Sequence, residues 1–159
     1  MKKIEERIEE LENIEKIKKL KASFCYLADE GFSGNAAKLD ELIKHFTDDA
    51  WIDFEEFGRH EGKKAISEFL TQTVPQVISF SAHMAMNPVI EVSGNTATGR
   101  WYIMVPCTNR GTNSPTWIQG KYNDEYRKIG EDWKFHSITT TFDFNAPLEE
   151  GWAKKRVHK

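Results

Sequence analysis

The chain has 159 residues and a mass of 18.4 kDa, enough for one domain with a substantial core and too little for two. Hydrophobic residues make up 39% of it and charged residues 30%, a globular composition whose ten Phe and five Trp supply large apolar surfaces. Because the net charge is -3 and the pI is near 6.0, we expect neither nucleic acid nor a membrane as a partner.

The first thirty residues predict a long amphipathic helix. Apolar residues recur at spacings of three and four from Ile4 to Leu27, which places them on one helical face. The first half of this helix is rich in Glu and Lys, so it is expected to be solvated and also offers a surface to a neighbouring subunit. Two glycines in residues 31–35, GFSGN, predict the end of the helix.

Two more helices and a hairpin are predicted next. AAKLDELIKHF repeats the helical spacing, and TDDAWIDFEEFGRHEG alternates apolar and polar residues as in a short strand and hairpin. KKAISEFLTQTV reads as a third helix that ends before Pro75. The remaining chain is mostly strand pattern with turns between the strands, and helices followed by an antiparallel meander predict an α+β fold. Residues 145–159 are expected to form a tail or a lid anchored by Trp152.

Metal and disulfide chemistry are not indicated. Cys25 and Cys107 lie far apart without CxxC spacing, so buried free thiols are expected. The other histidines show no metal-binding spacing, and we predict neither a metal nor a cofactor. The N-terminal segment lacks the apolar stretch of a signal peptide, which indicates the cytoplasm.

His83 differs from the other histidines because it interrupts an apolar strand pattern, SAHMAMNPVIEV. At such a position a satisfied core histidine and a catalytic histidine are both possible.

The order of elements, together with LIKHFTDDAWIDFEEFGRHEGKKAISEFL, resembles the SnoaL-like members of the nuclear transport factor 2-like superfamily. The resemblance covers roughly residues 10–144 of a single domain spanning residues 1–159. It implies a cone-shaped α+β barrel in which N-terminal helices pack on a curved, mostly antiparallel sheet and close a deep apolar pocket. It also implies a homo-oligomer, with a trimer favoured and a dimer possible.

Within that superfamily, IEKIKKLKASFCYLAD, SAHMAMNPVI and TATGRWY resemble bile-acid dehydratase, with scytalone dehydratase and hexachlorocyclohexane dehydrochlorinase more distant. All three carry a catalytic pair whose matching positions here are Asp29 and His83. An aspartate that binds one ring nitrogen of a histidine fixes its tautomer and leaves the other nitrogen as a base. Such a base could remove a proton next to a carbonyl and allow a β leaving group to depart.

The sequence also departs from the bile-acid enzymes. Phe24 stands where they have a catalytic Tyr, residues 103–105 lack their acidic residue, and Phe142 stands where they have an Arg. Tyr26, three residues before Asp29, is the first candidate to replace the lost proton donor. The predicted substrate-binding residues are Phe24, Trp51, Tyr102, Thr139 and Thr141. The parity of the last strand stays open, because a pocket position for Phe142 would turn Thr140 inward and Thr139 and Thr141 away.

Three functions fit these features. The first is a cofactor-independent lyase or isomerase that acts on a hydrophobic cyclic or steroid-like small molecule. The second is a non-catalytic protein that binds such a ligand. The third is the small partner subunit of a ring-hydroxylating dioxygenase, which polar residues on the predicted outer sheet face, such as Lys121 and Glu125, disfavour.

Overall fold

The computed structural model describes residues 3–154, apart from the side chain of Glu56. The helices are α1 (Ile4–Phe32), α2 (Ala36–Ile43), α3 (Gly62–Glu68), α4 (Val74–Val77) and α5 (Gly151–Lys154). The strands are β1 (Phe46–Asp53), β2 (Arg59–Glu61), β3 (Ile78–Ser81), β4 (Met84–Ser93), β5 (Thr96–Asn109), β6 (Ser114–Ile129) and β7 (Asp132–Pro147). Residues 155–159 of the predicted tail lie outside the described residues.

The seven strands form one mixed sheet in the order β2-β1-β7-β6-β5-β3, and β4 also pairs with β5. β1 runs parallel to β7, whereas the other pairs are antiparallel. Helices pack against this sheet, which confirms the α+β prediction. In the part of the chain that the structure describes, β2 and β3 at the two ends of the sheet do not pair, so the sheet stays open, which is consistent with the expected cone-like α+β fold.

Helix α1 joins the body of the domain only after its first two turns. Asn13 is its first buried residue, and Asn13 Oδ1 accepts a hydrogen bond of 2.9 Å from Trp133 Nε1. Ile4, Ile8 and Leu11 remain exposed. The apolar stripe therefore packs on the sheet from Ile17 onward and projects beyond it before that point. Within residues 3–154 no helix has the length and hydropathy needed to cross a bilayer.

The predicted end of the third helix before Pro75 is wrong. After α3 the chain enters a π-helical turn (Phe69–Thr73) and continues as α4 to Val77. Pro75 lies in the first turn of α4, where its missing N–H costs no hydrogen bond and its fixed φ suits a helix. The helical wall is therefore longer than the sequence pattern indicated.

Two bulges set the parity of the last strand. Relative to β6, β7 carries an extra residue at His136 and another at Asp143, and between these bulges Thr140 lies opposite Tyr122. Gly120 permits the second bulge, because a Cβ at this position would overlap a backbone carbonyl of β7. The residues that this segment of β7 turns toward the helices are Ile138, Thr140 and Phe142.

Candidate active site

The carboxylate of Asp29, in the last turn of α1, accepts three hydrogen bonds. Ser81 Oγ donates to Asp29 Oδ1 at 2.8 Å, and the backbone N–H of His83 donates to Oδ2 at 2.8 Å. The His83 ring contributes the third bond, with 2.5 Å between Nδ1 and Oδ1. A carboxylate near a helix C-terminus is disfavoured by the helix dipole, so these donors provide the stabilisation that the helix does not.

The contact with Asp29 determines which nitrogen of His83 carries the proton. A carboxylate only accepts hydrogen bonds, so Nδ1–H is the donor and Nε2 is left unprotonated in the neutral ring. Among the described residues Nε2 has no hydrogen-bond partner. The ring is packed between Phe24 and Phe32, at centroid distances of 6.4 and 6.1 Å. His83 is therefore held by an orienting carboxylate with one nitrogen free to accept a proton.

The backbone around His83 explains why this residue can reach Asp29. His83 does not lie within a continuous strand as expected, but in the two-residue break between β3 and β4. Ala82 N–H donates to the carbonyl of Pro106 on β5 at 3.0 Å, and Pro106 has no N–H with which to return a bond. The ladder is interrupted there, and the N–H of His83 is available to the carboxylate.

A cavity of about 90 Å³ lies beside the ring of His83. Its wall is mostly apolar and includes six phenylalanines, Phe24, Phe32, Phe54, Phe57, Phe69 and Phe142. The polar side chains on the wall, within the described part of the chain, are His83, Tyr122 and Thr140. A concave apolar site with few convergent polar groups is typical of small-molecule binding.

Comparison with known proteins places this geometry in a family. A family model described as a SnoaL-like domain matches residues 9–139 of the chain. The chain belongs to the SnoaL-like domain family. The uncharacterised protein Rv2910c of Mycobacterium tuberculosis H37Rv is 27% identical over 110 residues, which cover 68% of this SnoaL-like domain and 74% of the relative. Mb2934c of Mycobacterium bovis, also uncharacterised, matches with the same figures.

Solved structures show the same fold. The hexachlorocyclohexane dehydrochlorinase LinA-type3 of Novosphingobium barchaimii LL02 has a TM-score of 0.79 at 20% identity, over 89% of this chain and 94% of that one. A candidate scytalone dehydratase of Novosphingobium aromaticivorans DSM 12444 has a TM-score of 0.77 at 17% identity, over 93% and 91% of the two chains. These likenesses confirm the SnoaL-like, nuclear transport factor 2-like fold expected from the sequence.

An ion pair that the sequence interpretation missed lies behind the cavity wall of this SnoaL-like domain. Lys21 Nζ is 2.9 Å from Asp124 Oδ2, and both side chains are fully buried. Tyr126 O–H donates to the same carboxylate at 2.6 Å, and the ammonium lies 3.5 Å from the centre of the Tyr122 ring. Burial lowers the pKa of Lys21 and raises that of Asp124, in opposition to their mutual attraction.

Two signals in the sequence could have revealed this pair. Lys21 follows Ile17 by four residues and therefore lies on the apolar stripe of α1. Asp124 alternates with Tyr122 and Tyr126, so it shares their inward face of β6. A lysine and an aspartate at two core positions indicate a buried pair.

Within residues 3–154 no group of three or more His, Cys, Asp or Glu side chains could hold a metal ion.

The structure brings only some of the predicted site residues together. Phe24 lies on the cavity wall with His83, and Asp29 lies directly behind that histidine. Val105 and Phe142, two further positions at which the dehydratase resemblance predicts polar groups, also line the cavity. The wall of this SnoaL-like domain is therefore apolar where the resembling enzymes are polar.

The expected pocket position of Tyr26 is wrong. Its side chain is 72% exposed, whereas Cys25 beside it is buried. Asp29 lies at the edge of the buried sector of α1, and Tyr26 lies a further 60° toward solvent because three residues span 300° of helical rotation. Cys25, four residues before Asp29, lies on the inner side instead.

Four predicted substrate-binding residues also lie away from the cavity. Thr139 and Thr141 point outward because Thr140 and Phe142 occupy the inner face of β7. The other two are Trp51 and Tyr102. The Trp51 ring stacks on the guanidinium of Arg59 at 3.7 Å, and Tyr102 is 46% exposed on β5. The open parity of the last strand is thus resolved in favour of Thr140.

Proposed function

We propose that this protein is a lyase that removes a proton from a carbon next to a carbonyl and expels a β leaving group. The observation that carries the proposal is the 2.5 Å contact of Asp29 with His83 Nδ1 at the wall of an apolar cavity. This contact leaves His83 Nε2 as the base. The fold shared with a dehydrochlorinase and with a candidate scytalone dehydratase supports this reaction class.

The proposed reaction needs only the residues of the chain. His83 Nε2 takes the proton, and the electron pair of the broken C–H bond forms the new carbon–carbon double bond. The bond to the leaving group breaks with its electron pair on that group, so a halide departs as an anion and the imidazolium then releases its proton to water. A hydroxide takes the proton from the imidazolium and departs as water. Asp29 stabilises the imidazolium formed in between.

The size of the cavity favours a small substrate. A cavity of roughly 150 Å³ is enough to hold benzene, and drug-sized ligands occupy about 300–1,000 Å³. The cavity here, at about 90 Å³, is smaller than either, so its wall has to move apart even for a single ring and much further for a steroid-like ligand. We therefore favour a substrate with a single ring over a steroid-like one.

A non-catalytic binding protein is the second candidate. The apolar residues Phe24, Val105 and Phe142 on the cavity wall favour it, because they remove groups that could donate or accept a proton. Both candidates share the ligand cavity. They differ in whether His83 exchanges a proton with the ligand.

Elimination and exchange assays distinguish the two candidates. The probes are 3-hydroxycyclohexanone and 3-chlorocyclohexanone, whose elimination to a conjugated enone is followed by ultraviolet absorbance. Deuterium exchange at the α carbons of cyclohexanone, followed by mass spectrometry, reports proton removal alone. The test variant is His83→Gln, and the matched control is His45→Gln, which lies away from the cavity.

The lyase proposal expects catalysed elimination and exchange in the wild type and in His45→Gln. His83→Gln is expected to lose about 10²- to 10⁴-fold, the usual contribution of a general base. If cyclohexanone binds to the wild type but neither exchange nor elimination exceeds the uncatalysed rate, the lyase proposal fails and the binding protein replaces it.

A further inference from the structure

One hydroxyl group on the cavity wall has no partner. Thr140 is 2% exposed, and its Oγ1 makes no hydrogen bond with any of the described residues. Tyr122 lies directly opposite on β6 but forms no hydrogen bond with it, and the side chain of Phe142, two residues along the same strand face, is apolar. A buried hydroxyl left unpaired is costly, whereas a valine at the same position would have the same shape without that cost.

The fold fixes the position of this hydroxyl. The bulges at His136 and Asp143 leave a regular segment of β7 between them, in which Thr140 lies opposite Tyr122 on β6. Both residues line the cavity. The hydroxyl therefore reaches the cavity from a rigid strand in the middle of the sheet, and a ligand there would meet a fixed hydrogen-bonding group.

The charges around the cavity limit the kind of ligand. The wall carries no lysine or arginine among the described residues. Lys21 lies behind Tyr122, is fully buried and is paired with Asp124. A ligand carboxylate would lose its hydration without a permanently charged cation to pair with, which is a large cost in an apolar site. An uncharged acceptor, such as a ketone oxygen, needs only one neutral donor.

We propose that Thr140 is the polar subsite of this cavity and that its hydroxyl donates a hydrogen bond to the carbonyl oxygen of an uncharged cyclic ligand. This inference rests on the proposed function, because it assigns the ligand to the same cavity. In an elimination the bond would hold the carbonyl while His83 removes the neighbouring proton. The ligand class that follows is a small, uncharged carbonyl compound.

Binding of matched probes tests the subsite. Dissociation constants for cyclohexanone, methylenecyclohexane and cyclohexanecarboxylate are measured by ¹⁵N NMR titration of the wild type and of Thr140→Val. Thr139→Val is the matched control, because Thr139 is the adjacent residue on the outer face of the same strand. Thr140→Ser keeps the hydroxyl and separates its loss from a change in packing.

We expect the wild type to bind cyclohexanone about three- to tenfold more tightly than methylenecyclohexane, the usual effect of one neutral hydrogen bond. Thr140→Val should abolish this ratio, whereas Thr140→Ser and Thr139→Val should keep it. An unchanged ratio in Thr140→Val, or carboxylate binding as tight as that of the ketone, overturns the subsite. If His83-dependent exchange persists in that case, the lyase proposal survives without the subsite, whereas absence of ligand binding in the wild type removes both proposals.

Discussion

Replacing Asp29 by asparagine tests the geometry of the candidate site most directly. The carboxylate accepts from Ser81 Oγ, from the backbone N–H of His83 and from His83 Nδ1. An amide has one acceptor oxygen, so its NH₂ group must face at least one of these donors. In one orientation the backbone N–H of His83 loses its partner, and in the other Ser81 and the ring lose theirs.

The size of the effect follows from those bonds. A hydrogen bond to a charged acceptor contributes about 1.5–3 kcal/mol, and at least one is lost. Removing a negative charge from the C-terminal end of α1 returns about 0.3–1 kcal/mol. The carboxylate is also partly exposed, with 22% of its side chain accessible, so water replaces some of the loss. We expect Asp29→Asn to lower the free energy of unfolding by about 1–3 kcal/mol.

Urea unfolding of the wild type, Asp29→Asn and Asp40→Asn measures this difference. Asp40 is an exposed aspartate of α2, and its substitution is expected to change the free energy of unfolding by less than about 0.5 kcal/mol. The ¹⁵N shifts of the His83 ring report the tautomer, and the Nδ1–H form should lose its preference in Asp29→Asn. Equal stability of the two variants, with an unchanged tautomer, would refute the three-bond geometry.

Three further predictions concern the core. Lys21→Met should lower the free energy of unfolding by about 3–5 kcal/mol, because it leaves the buried carboxylate of Asp124 without a partner. In urea unfolding the double variant Lys21→Met/Asp124→Leu should recover most of that loss. A double variant as unstable as the single one would contradict this. Gly120→Ala should lower the free energy of unfolding by about 1–3 kcal/mol, because the new Cβ forces β6 and β7 apart. Gly111→Ala, in an open turn, should be nearly neutral. Similar melting temperatures for the two variants would be inconsistent with the tight bulge. Burial raises the pKa of Cys25 from 9.0 to about 11. As the pH rises, the thiol therefore loses its proton in the unfolded chain before it does so in the folded one. The stabilisation that is present below pH 9 is then lost as the pH rises through 11. The wild type should therefore lose about 2–3 kcal/mol more than Cys25→Ala between pH 8 and 11, and parallel pH profiles would argue against the shift.

The sequence was informative where a pattern is local and periodic. The stripe of α1 and its end near residues 31–35 follow from spacing and from glycine, and the structure agrees with both. The resemblance also identified Asp29 and His83, which the structure brings into contact although 54 residues separate them. Their catalytic role stays a prediction.

The errors arose where one residue changes the register. The spacing of three residues between Tyr26 and Asp29 predicts a shared helical face. Because Asp29 lies at the edge of the buried face of α1, the 60° of rotation between the two residues is enough to turn Tyr26 into solvent. Thr139 and Thr141 could not be oriented, because the parity of β7 depends on bulges that arise only when the strand pairs with β6. Local patterns place Lys21 and Asp124 at core positions, but the two lie more than a hundred residues apart, so their contact becomes visible only in the folded structure.

Because of the π-helical turn between α3 and α4, the helical side of the cavity is expected to open locally more easily than the sheet side. Phe69 and Leu70 reach the wall from this turn, where the regular hydrogen-bond pattern of an α-helix is broken, and Val74 and Val77 reach it from α4, which follows directly. Ile103 reaches it from the regular pairing of β5 with β6, and Thr140 from the regular segment of β7 between its two bulges. Native-state hydrogen exchange should therefore show local opening of residues 69–77 at a lower free energy than that of β5 to β7. Under the proposed lyase function, laboratory selection for bulkier substrates would then accumulate its substitutions on the helical side and leave the sheet unchanged.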